Sequence, residues 1–450
     1  MEKQWKDMTA DEKQEAQFQR MLAPKDAAGN DFAFDSPEAG RLYRERLTRI
    51  KDAIQLKRPP DRVPVCPLPS MYPYNYAGHT VQDVMYDYGK CTSAFKKFIF
   101  DFAPDMHIGA GGPGPGRFYE LLDYRLYAWA GHGVAPTSTY QCHEGEYMKA
   151  EEYDILITDP SYFFSNVYLP RVFGALQPWT MLPLLPGIVE MYGVAYSFIP
   201  FGLPAVQDAY KALFEAGAEA IKWATALGGM NAELTAAGFP NMVGGFTKAP
   251  FDIIGDTLRG TKGIMTDMYR RPAKLIEAME KITPIAIDMG VGASRRTGNP
   301  LIFMPLHKGA DGFLSDAQYR KFYWPTLKRV IEGLIDEGCI PMPIAEGGYN
   351  SRLEIIRDLP AGKTLWMFDE TDMVKAKPVI GDTICMLGNV PSSLLILGTP
   401  QEVRDYCRNL IDTVGKGGGF IMGNGAFFDE AKPENLKAMI DFTKEYGIYG

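Results

Sequence analysis

Short, almost wholly apolar segments recur along this chain of 450 residues, and most of them are followed by a turn and a helical pattern. Strands that are buried on both faces have this composition, and their alternation with helices requires right-handed crossovers and a parallel sheet. Eight such segments favour an α/β fold of the (β/α)8 TIM type, a closed barrel, over an open doubly wound sheet. The predicted strands are Val63–Leu68, Asp105–Ala110, Asn241–Phe246, Leu301–His307, Cys339–Glu346, Thr364–Asp369, Ile384–Asn389 and Gly419–Asn424.

The same pattern divides the chain into an arm and a barrel. Residues 1–60 are polar and predict an N-terminal helical arm, in which Arg41 to Leu56 form an amphipathic helix. We expect this arm to pack against the barrel or against a partner subunit in a homodimer. Residues 61–450 predict a single barrel domain with a long insertion after its second strand, at about 111–240. Such insertions usually lie at the active-site rim.

Composition and charge argue against several classes of protein. The formal net charge is −8 and no basic cluster stands out, which argues against nucleic-acid binding. The segment from Met1 to Lys13 lacks the apolar core of a secretory signal. Five prolines interrupt the apolar segment 177–204, so we expect a packed insertion or a substrate-covering segment there and no membrane span. Six scattered cysteines without a C-x-x-C pair fit a reduced, cytoplasmic protein.

Polar or ionisable residues end five of the predicted strands, each directly after an apolar run. Catalytic groups of TIM-type barrels lie at the carboxyl ends of the strands. A polar group buried at a strand mouth is costly unless it is paired or bound to a metal. Cys339 and Cys385 stand at strand starts and therefore face the opposite end of the barrel. The residues that end the strands are His307, Glu346, Asp369, Asn389 and Asn424.

One imidazole and two carboxylates on neighbouring strands suit a divalent metal with an open coordination position. His307, Glu346 and Asp369 are therefore the candidate catalytic and metal-binding residues. The alternative is that each is a solvated loop residue or, for Asp369, the cap of the next helix. Asn389 and Asn424 are candidates for substrate binding, and their alternative role is to hold rim turns by side-chain hydrogen bonds.

Four segments carry a resemblance to a known family. They are Arg49-Ile50 with Pro59-Pro60-Asp61-Arg62-Val63-Pro64-Val65, Ala249-Pro250-Phe251-Asp252 with Leu258-Arg259-Gly260, Leu387-Gly388-Asn389-Val390-Pro391, and Gly423-Asn424-Gly425 with Lys432-Pro433-Glu434-Asn435-Leu436. Over roughly residues 40–450 the chain resembles the uroporphyrinogen decarboxylase superfamily. This resemblance is fairly specific for the superfamily and weak for the branch within it.

Two branches of this superfamily differ in their ligand-binding motifs. The true decarboxylases carry an R-Q-A-G-R motif after the first strand, which holds a tetra-carboxylate porphyrinogen, whereas Pro67 to Tyr74 contains no arginine here. The cobamide-dependent methyltransferases bind zinc through an H-x-C motif on the fifth strand and a cysteine on the last strand. Residues 344–347 and 423–425 stand at those places without cysteine. Oxygen and nitrogen ligands suit an oxygen-bearing methyl donor better than a thiol.

The resemblance therefore implies O-demethylation, in which a methyl group passes from a methoxylated, aromatic donor to the cobalt of a separate corrinoid protein. A metal, zinc in this branch, held by His307, Glu346 and Asp369 would polarise the ether oxygen. Without a metal, His307 would act as a general acid to the leaving oxygen. Three tyrosines of the first loop are candidates for packing on the donor ring: Tyr72, Tyr74 and Tyr76.

Two other functions stay open on the sequence. One is a decarboxylase that acts on a smaller substrate, with or without a metal. The other is a non-catalytic barrel that binds a corrinoid or an aromatic ligand as a sensor or scaffold. The reaction products separate the first alternative from methyl transfer, and binding without turnover identifies the second.

Overall fold

The computed structural model describes residues 3–26, 28–183 and 190–449. Its strands are β1 (Tyr127–Ala130), β2 (Gly133–Val134), β3 (Tyr140–Cys142), β4 (Gly245–Phe246), β5 (Leu301–Leu306), β6 (Ile340–Ala345), β7 (Leu365–Phe368), β8 (Cys385–Val390) and β9 (Phe420–Asn424). Its α-helices are α1 (Ala10–Leu22), α2 (Pro37–Gln55), α3 (Tyr72–Tyr76), α4 (Val81–Tyr86), α5 (Tyr88–Phe102), α6 (Gly116–Leu122), α7 (Tyr153–Thr158), α8 (Pro160–Tyr162), α9 (Leu169–Val172), α10 (Met191–Phe198), α11 (Pro204–Ala236), α12 (Pro250–Asp252), α13 (Gly260–Arg270), α14 (Pro272–Thr297), α15 (Asp316–Gln318), α16 (Trp324–Asp336), α17 (Leu353–Ile356), α18 (Met373–Ile380), α19 (Ser392–Leu397), α20 (Pro400–Leu410) and α21 (Pro433–Tyr446). Short 3-10 helices occur at Trp5–Asp7, Ala150–Glu152, Gly174–Met181, Ile199–Gly202 and Asn350–Arg352, and π-helical turns at Phe163–Tyr168, Ile253–Leu258, Tyr319–Tyr323 and Ile411–Gly415.

Parallel strands form a closed barrel. Strands β4 to β9 pair in sequence order in one parallel sheet. Val65 pairs in parallel with Met422 of β9, and His107 pairs in parallel with Asn241 just before β4. The amide of Asp105 donates to the carbonyl of Val65 over 2.9 Å, which joins the first two segments. Every predicted strand thus has a place in the barrel, and the predicted (β/α)8 TIM-type fold is confirmed.

Side chains along each strand alternate between the barrel interior and the surrounding helices. In β5, Leu301 and Phe303 belong to the interior cluster, whereas Ile302 and Met304 pack into the outer hydrophobic core. A strand repeats every two residues, so this alternation follows from its geometry. The interior series of β5 continues through residue 305 to His307, the first residue after the strand.

The N-terminal helices close the barrel at the end where the strands begin. Leu47, Ile50 and Ile54 of α2 lie in the same interior cluster as the first residues of β5 to β8. The guanidinium of Arg49, on the same helix, donates to the carboxylate of Asp105 over 2.7 Å. Helix α2 therefore packs against the barrel, and the other end of the barrel, where the strands finish, is left for function.

The insertion between the second and third strands contains a small sheet, in the order β2-β1-β3, and the 33-residue helix α11. In the described part of segment 177–204, Met191, Tyr192 and Tyr196 are each more than 70% exposed, at 78%, 78% and 73%. This part is therefore largely exposed and does not pack as one alternative expected, whereas a substrate-covering role stays a prediction. Residues 184–189 lie outside the described residues. Among the helices that the structure describes, none combines the length and apolar composition needed to cross a membrane.

Candidate active site

His307 and Glu346 lie side by side because their strands are in register. Leu306 of β5 pairs with Ala345 of β6, so the next residue of each strand also stands next to the other. The imidazole Nε2 of His307 lies 3.5 Å from the carboxylate Oε1 of Glu346. Gly347 follows with a φ of 76°, a left-handed turn that favours glycine and bends the chain away directly after Glu346.

A second carboxylate fixes the other nitrogen of the imidazole. His307 Nδ1 donates to Asp256 Oδ2 over 2.7 Å. Asp256 lies in the π-helical turn Ile253–Leu258, which follows α12. The ammonium groups of Lys248 and Lys308 also pair with Asp256, the latter over 3.0 Å. The imidazole is therefore oriented by one carboxylate and leaves its second nitrogen toward Glu346.

Asp252 holds the turn that carries His307. Its buried carboxylate accepts the backbone amides of His307 and Lys308 over 3.2 and 3.1 Å, and the hydroxyl of Tyr323 over 2.6 Å. Burial raises the pKa of Asp252 above its usual range. This residue positions the backbone of His307, whereas Asp256 positions its ring.

The charges around His307 keep its imidazole protonated more readily than that of a free histidine. Burial lowers the pKa of His307, but the hydrogen bond to Asp256 and the negative charge of Glu346 outweigh burial, and the pKa is raised. Burial raises the pKa of Glu346, although the positive charges of His307 and Lys248 oppose it. Burial also favours the neutral form of Asp256, but His307 and Lys248 lower the pKa of that carboxyl.

Asp369 lies at the same end of the barrel, but its carboxylate is hydrogen-bonded to the protein backbone. It follows β7 in phase with the interior residues Leu365 and Met367. Its Oδ2 accepts the amide of Gly347 over 3.2 Å, and burial raises the pKa of its carboxyl. Asp369 therefore supports the turn after Glu346.

The two asparagines predicted to bind substrate have structural roles. The amide nitrogen of Asn389 donates to the carbonyls of Asp369 and Thr371 over 2.9 and 2.8 Å. Asn424 is fully buried, its oxygen accepts the amide of Leu68 over 2.7 Å, and its nitrogen donates to carbonyls. Their amide groups are thus engaged within the protein, and substrate binding by Asn389 and Asn424 stays a prediction.

The three tyrosines of the first loop do not line the barrel mouth. Tyr72 and Tyr74 are buried at 3% and 1% exposure in the outer core, and the Tyr74 hydroxyl donates to the carbonyl of Ala110. Tyr76 stacks on Tyr72 and donates to Asp101. The short helix α3 turns Tyr72 and Tyr74 into the core and leaves Tyr76 partly buried beside them, so a contact of these rings with a substrate stays a prediction.

Three phenylalanines give the mouth an apolar lining. Phe246 pairs in register with Phe303, and their ring centres are 6.4 Å apart. Phe427, in the loop after β9, meets Phe303 edge to face at 5.9 Å. Phe246 and Phe427 remain 46% and 37% exposed, which is unusual for side chains of this type that lie in a barrel. Phe303 shares the interior phase of His307, which comes four residues later, directly after the same strand.

The predicted metal ligands do not form a ligand set in this structure. Among the described residues, no group of three or more histidine, cysteine, aspartate and glutamate side chains is arranged to hold a metal ion. Asp369 is bonded to the backbone amide of Gly347, which leaves only the Nε2 of His307 and the carboxylate of Glu346 side by side. The ammonium groups of Lys248 and Lys308 stand where they would repel a cation. His307, Glu346 and Asp369 therefore do not fit a zinc site.

Three charged residues of the site were missed from the sequence. Lys308 directly follows His307, and Lys248 comes two residues after β4, so both strand ends carried a signal that was not used. Asp256 lies four residues after Asp252, within the segment that resembles the superfamily. Its place against His307 depends on a π-helical turn, which leaves no periodic pattern in the sequence.

Comparison with known proteins supports the resemblance. Residues 233–446 match the family model described as uroporphyrinogen decarboxylase (URO-D). A uroporphyrinogen decarboxylase of Psychromonas ingrahamii is 31% identical over 209 residues, which are 45% of this chain and 57% of that protein. One of Chlorobium phaeobacteroides is 24% identical over 196 residues, 40% of this chain and 52% of that protein. The resemblance to uroporphyrinogen decarboxylases is confirmed.

The matched uroporphyrinogen decarboxylase region contains His307, Glu346 and Asp256, and the chain spans about half the length of its curated relatives, 52% in one case. A methyltransferase from Methanosarcina mazei has a similar structure, with a TM-score of 0.58 and 14% identity, covering 89% of this chain and 98% of that one. At this identity the likeness concerns the fold, and the fold alone does not determine function.

Proposed function

We propose that this protein removes the methyl group of a methoxylated aromatic donor and passes it to the cobalt of a separate corrinoid protein. The observation that carries the proposal is the His307 imidazole, fixed by Asp256 on one nitrogen and left toward the barrel mouth on the other. An alkoxide or phenoxide is a poor leaving group, so the reaction needs an acid at the ether oxygen. His307 supplies that proton without a metal.

The proposed step breaks the bond between the methyl carbon and the ether oxygen. The methyl acceptor provides the electron pair for the new bond to carbon, and the oxygen takes the proton of His307 Nε2. Asp256, hydrogen-bonded to Nδ1, stabilises the imidazolium before transfer. Glu346 lies 3.5 Å from Nε2, and its negative charge favours a proton on that nitrogen, which faces the mouth. Proton transfer by a positioned side chain contributes about 10²- to 10⁴-fold to a rate.

The lining of the mouth supports an apolar donor. Phe303 contacts both Phe246 and Phe427, and the latter two leave apolar surface exposed. Exposed aromatic surface in a concave site is typical of ligand binding. A methoxyarene would place its methoxy group between this apolar surface and the acid.

The family match favours a second candidate, a decarboxylase that acts on a smaller substrate. Its members named above are uroporphyrinogen decarboxylases. The same imidazole would then protonate the carbon that loses carbon dioxide. The segment from Pro67 to Tyr74 contains no arginine to hold a multiply charged porphyrinogen, so the substrate would be a smaller one.

The two functions differ in their products. The purified protein is incubated with 2-methoxyphenol and a reduced corrinoid protein, and both methylation of the corrinoid and release of carbon dioxide are measured. We expect corrinoid methylation, with the rate lowered about 10²- to 10⁴-fold by His307→Asn. His79→Asn, at a histidine between α3 and α4 whose backbone amide donates to the carbonyl of Tyr74, serves as the matched control. Release of carbon dioxide from carboxylated substrates without methylation would favour the decarboxylase.

A further inference from the structure

A cavity lies between the first loop of the barrel and the sheet of the insertion. Its volume is about 180 Å³. Aromatic and thioether side chains dominate its walls, and among the described residues no charged side chain lines it. The walls include the side chains of Met71, Met85, Tyr119, Tyr124, Trp129 and Tyr140.

We propose that this cavity binds the ring of the methyl donor and restricts the donors to neutral, single-ring methoxyarenes. The proposal rests on the proposed function, because the methoxy group must reach His307. Cavities of about 150 Å³ admit a benzene ring, whereas drug-sized ligands require about 300–1,000 Å³. A volume of about 180 Å³ therefore suits one ring with small substituents and excludes a macrocycle.

The cavity wall is connected to the acid site by strand β3 and the loop that follows it. Tyr140 begins this strand, and Glu144, four residues later, lies 3.8 Å from the ammonium group of Lys308. Lys308 in turn pairs with Asp256, the partner of His307. Four residues of extended chain span at most about 13 Å. This series of contacts links the wall of the cavity to the carboxylate that orients His307.

A second connection runs through the loop after β9. The carboxylate of Asp429 accepts the amide of Met71 over 3.1 Å, and Asp429 is two residues from Phe427 at the mouth. The negative charges of Glu346 and Asp429 also contribute, after burial, to a raised pKa of Tyr140. These contacts place the cavity beside the apolar lining of the mouth.

The polar atoms of the cavity suit a neutral ring. The hydroxyls of Tyr124 and Tyr140 make no hydrogen bond with any residue that the structure describes, so they are free to donate to an oxygen substituent. Burial raises the pKa of Tyr124, which keeps its phenol protonated. Because the walls offer no cation, a carboxylate on the ring would lose its hydration without compensation.

Isothermal titration of the full-length protein with 2-methoxyphenol tests the proposal without the methyl acceptor. Thr139→Trp adds bulk to the cavity wall from a partly exposed position, and Ser138→Trp adds the same side chain at the exposed neighbouring residue that does not line it. We expect Thr139→Trp to raise the Kd about tenfold or more. We expect Ser138→Trp to stay within about twofold of the wild type.

A thermal melt shows whether Thr139→Trp is folded, and Met71→Trp narrows the same cavity from the opposite wall as a second variant. Equal effects of Thr139→Trp and Ser138→Trp, or no effect of either tryptophan in the cavity, would overturn the proposal. Absence of 2-methoxyphenol binding to the wild type would overturn it as well. Binding that depends on the cavity but leads to no methyl transfer would instead contradict the proposed function and leave the binding site intact.

Discussion

At the scale of single residues, His307 has its two ring nitrogens assigned to different tasks. Asp256 accepts from one nitrogen over 2.7 Å, and Glu346 lies 3.5 Å from the other. Lys248 and Lys308 also pair with Asp256, and their positive charges offset the negative charge of its carboxylate. An acid held in this way needs no metal to protonate an ether oxygen.

Metal removal tests this residue-scale account. We expect extended dialysis against a chelator to leave the rate of methyl transfer unchanged, because the side chains around His307 do not form a ligand set and Lys248 and Lys308 repel cations. The rate and the zinc content are measured before and after dialysis. A rate that falls with the loss of zinc and returns on its addition would contradict the prediction.

At the scale of elements, the register of neighbouring strands places the site. The pairing of β5 with β6 brings the two strand ends together, and the end of β4 and the loop after β9 supply Phe246 and Phe427. The position of the acid is thus set by backbone hydrogen bonds of buried strands, whereas the lining depends on side chains that are more exposed. Substitutions in the lining should therefore change donor binding more than proton transfer.

Phe427→Ala tests the lining. This side chain is 37% exposed, so its truncation should cost little stability. We expect the KM for 2-methoxyphenol to rise about 3- to 10-fold, since aromatic contacts of this kind contribute about 0.5–1.5 kcal/mol beyond area burial. Phe214→Ala, 69% exposed on α11, is the control. A fall in kcat with an unchanged KM would argue against a binding role for Phe427.

Short apolar runs predicted the barrel strands, and the residues that end those runs included His307 and Glu346 at neighbouring strand ends. Counting in steps of two from the interior residue Ile421 shows that Asn424 is out of phase, so the period of a strand could have excluded it. Asp256 could not be predicted this way, because a π-helical turn and a loop-to-strand contact place it. The burial of Tyr72 and Tyr74 likewise depends on tertiary packing of a short helix.

At the scale of the whole molecule, buried charges join the N-terminal helices to the barrel. Asp105 is 1% exposed and accepts hydrogen bonds from Arg49 of α2, from Arg62 and from the amide of Val65. It thereby links α2 to the first two strands at the end of the barrel remote from His307. The arm and the barrel share this network, so we infer that they unfold together.

Asp105→Asn tests that network. Removing one partner of a buried ion pair costs about 3–5 kcal/mol, so the free energy of unfolding should fall by that amount at neutral pH. Burial raises the pKa of Asp105, but Arg62 and Arg49 lower it further, so its contribution is present above the unfolded pKa and is lost as pH falls through the folded value. Urea unfolding at neutral and acidic pH measures both effects.

The exposed substitution Asp208→Asn on α11 should change the free energy of unfolding by less than about 0.5 kcal/mol. If Asp105→Asn were as stable as the wild type at neutral pH, or if the difference between them grew on acidification, the network would not have the role assigned to it.

The most direct test of the account is the pH dependence of methyl transfer in the wild type and in Asp256→Asn, with Asp208→Asn as the control. The acid form of His307 is present below its folded pKa, which is raised above the ordinary value of 6.5, so the wild-type rate should fall as pH rises through that raised value. Without the carboxylate that stabilises the imidazolium, the fall should occur at lower pH in Asp256→Asn. A rate that rises through this range, or an identical profile in both proteins, would contradict the assignment of His307 as the acid.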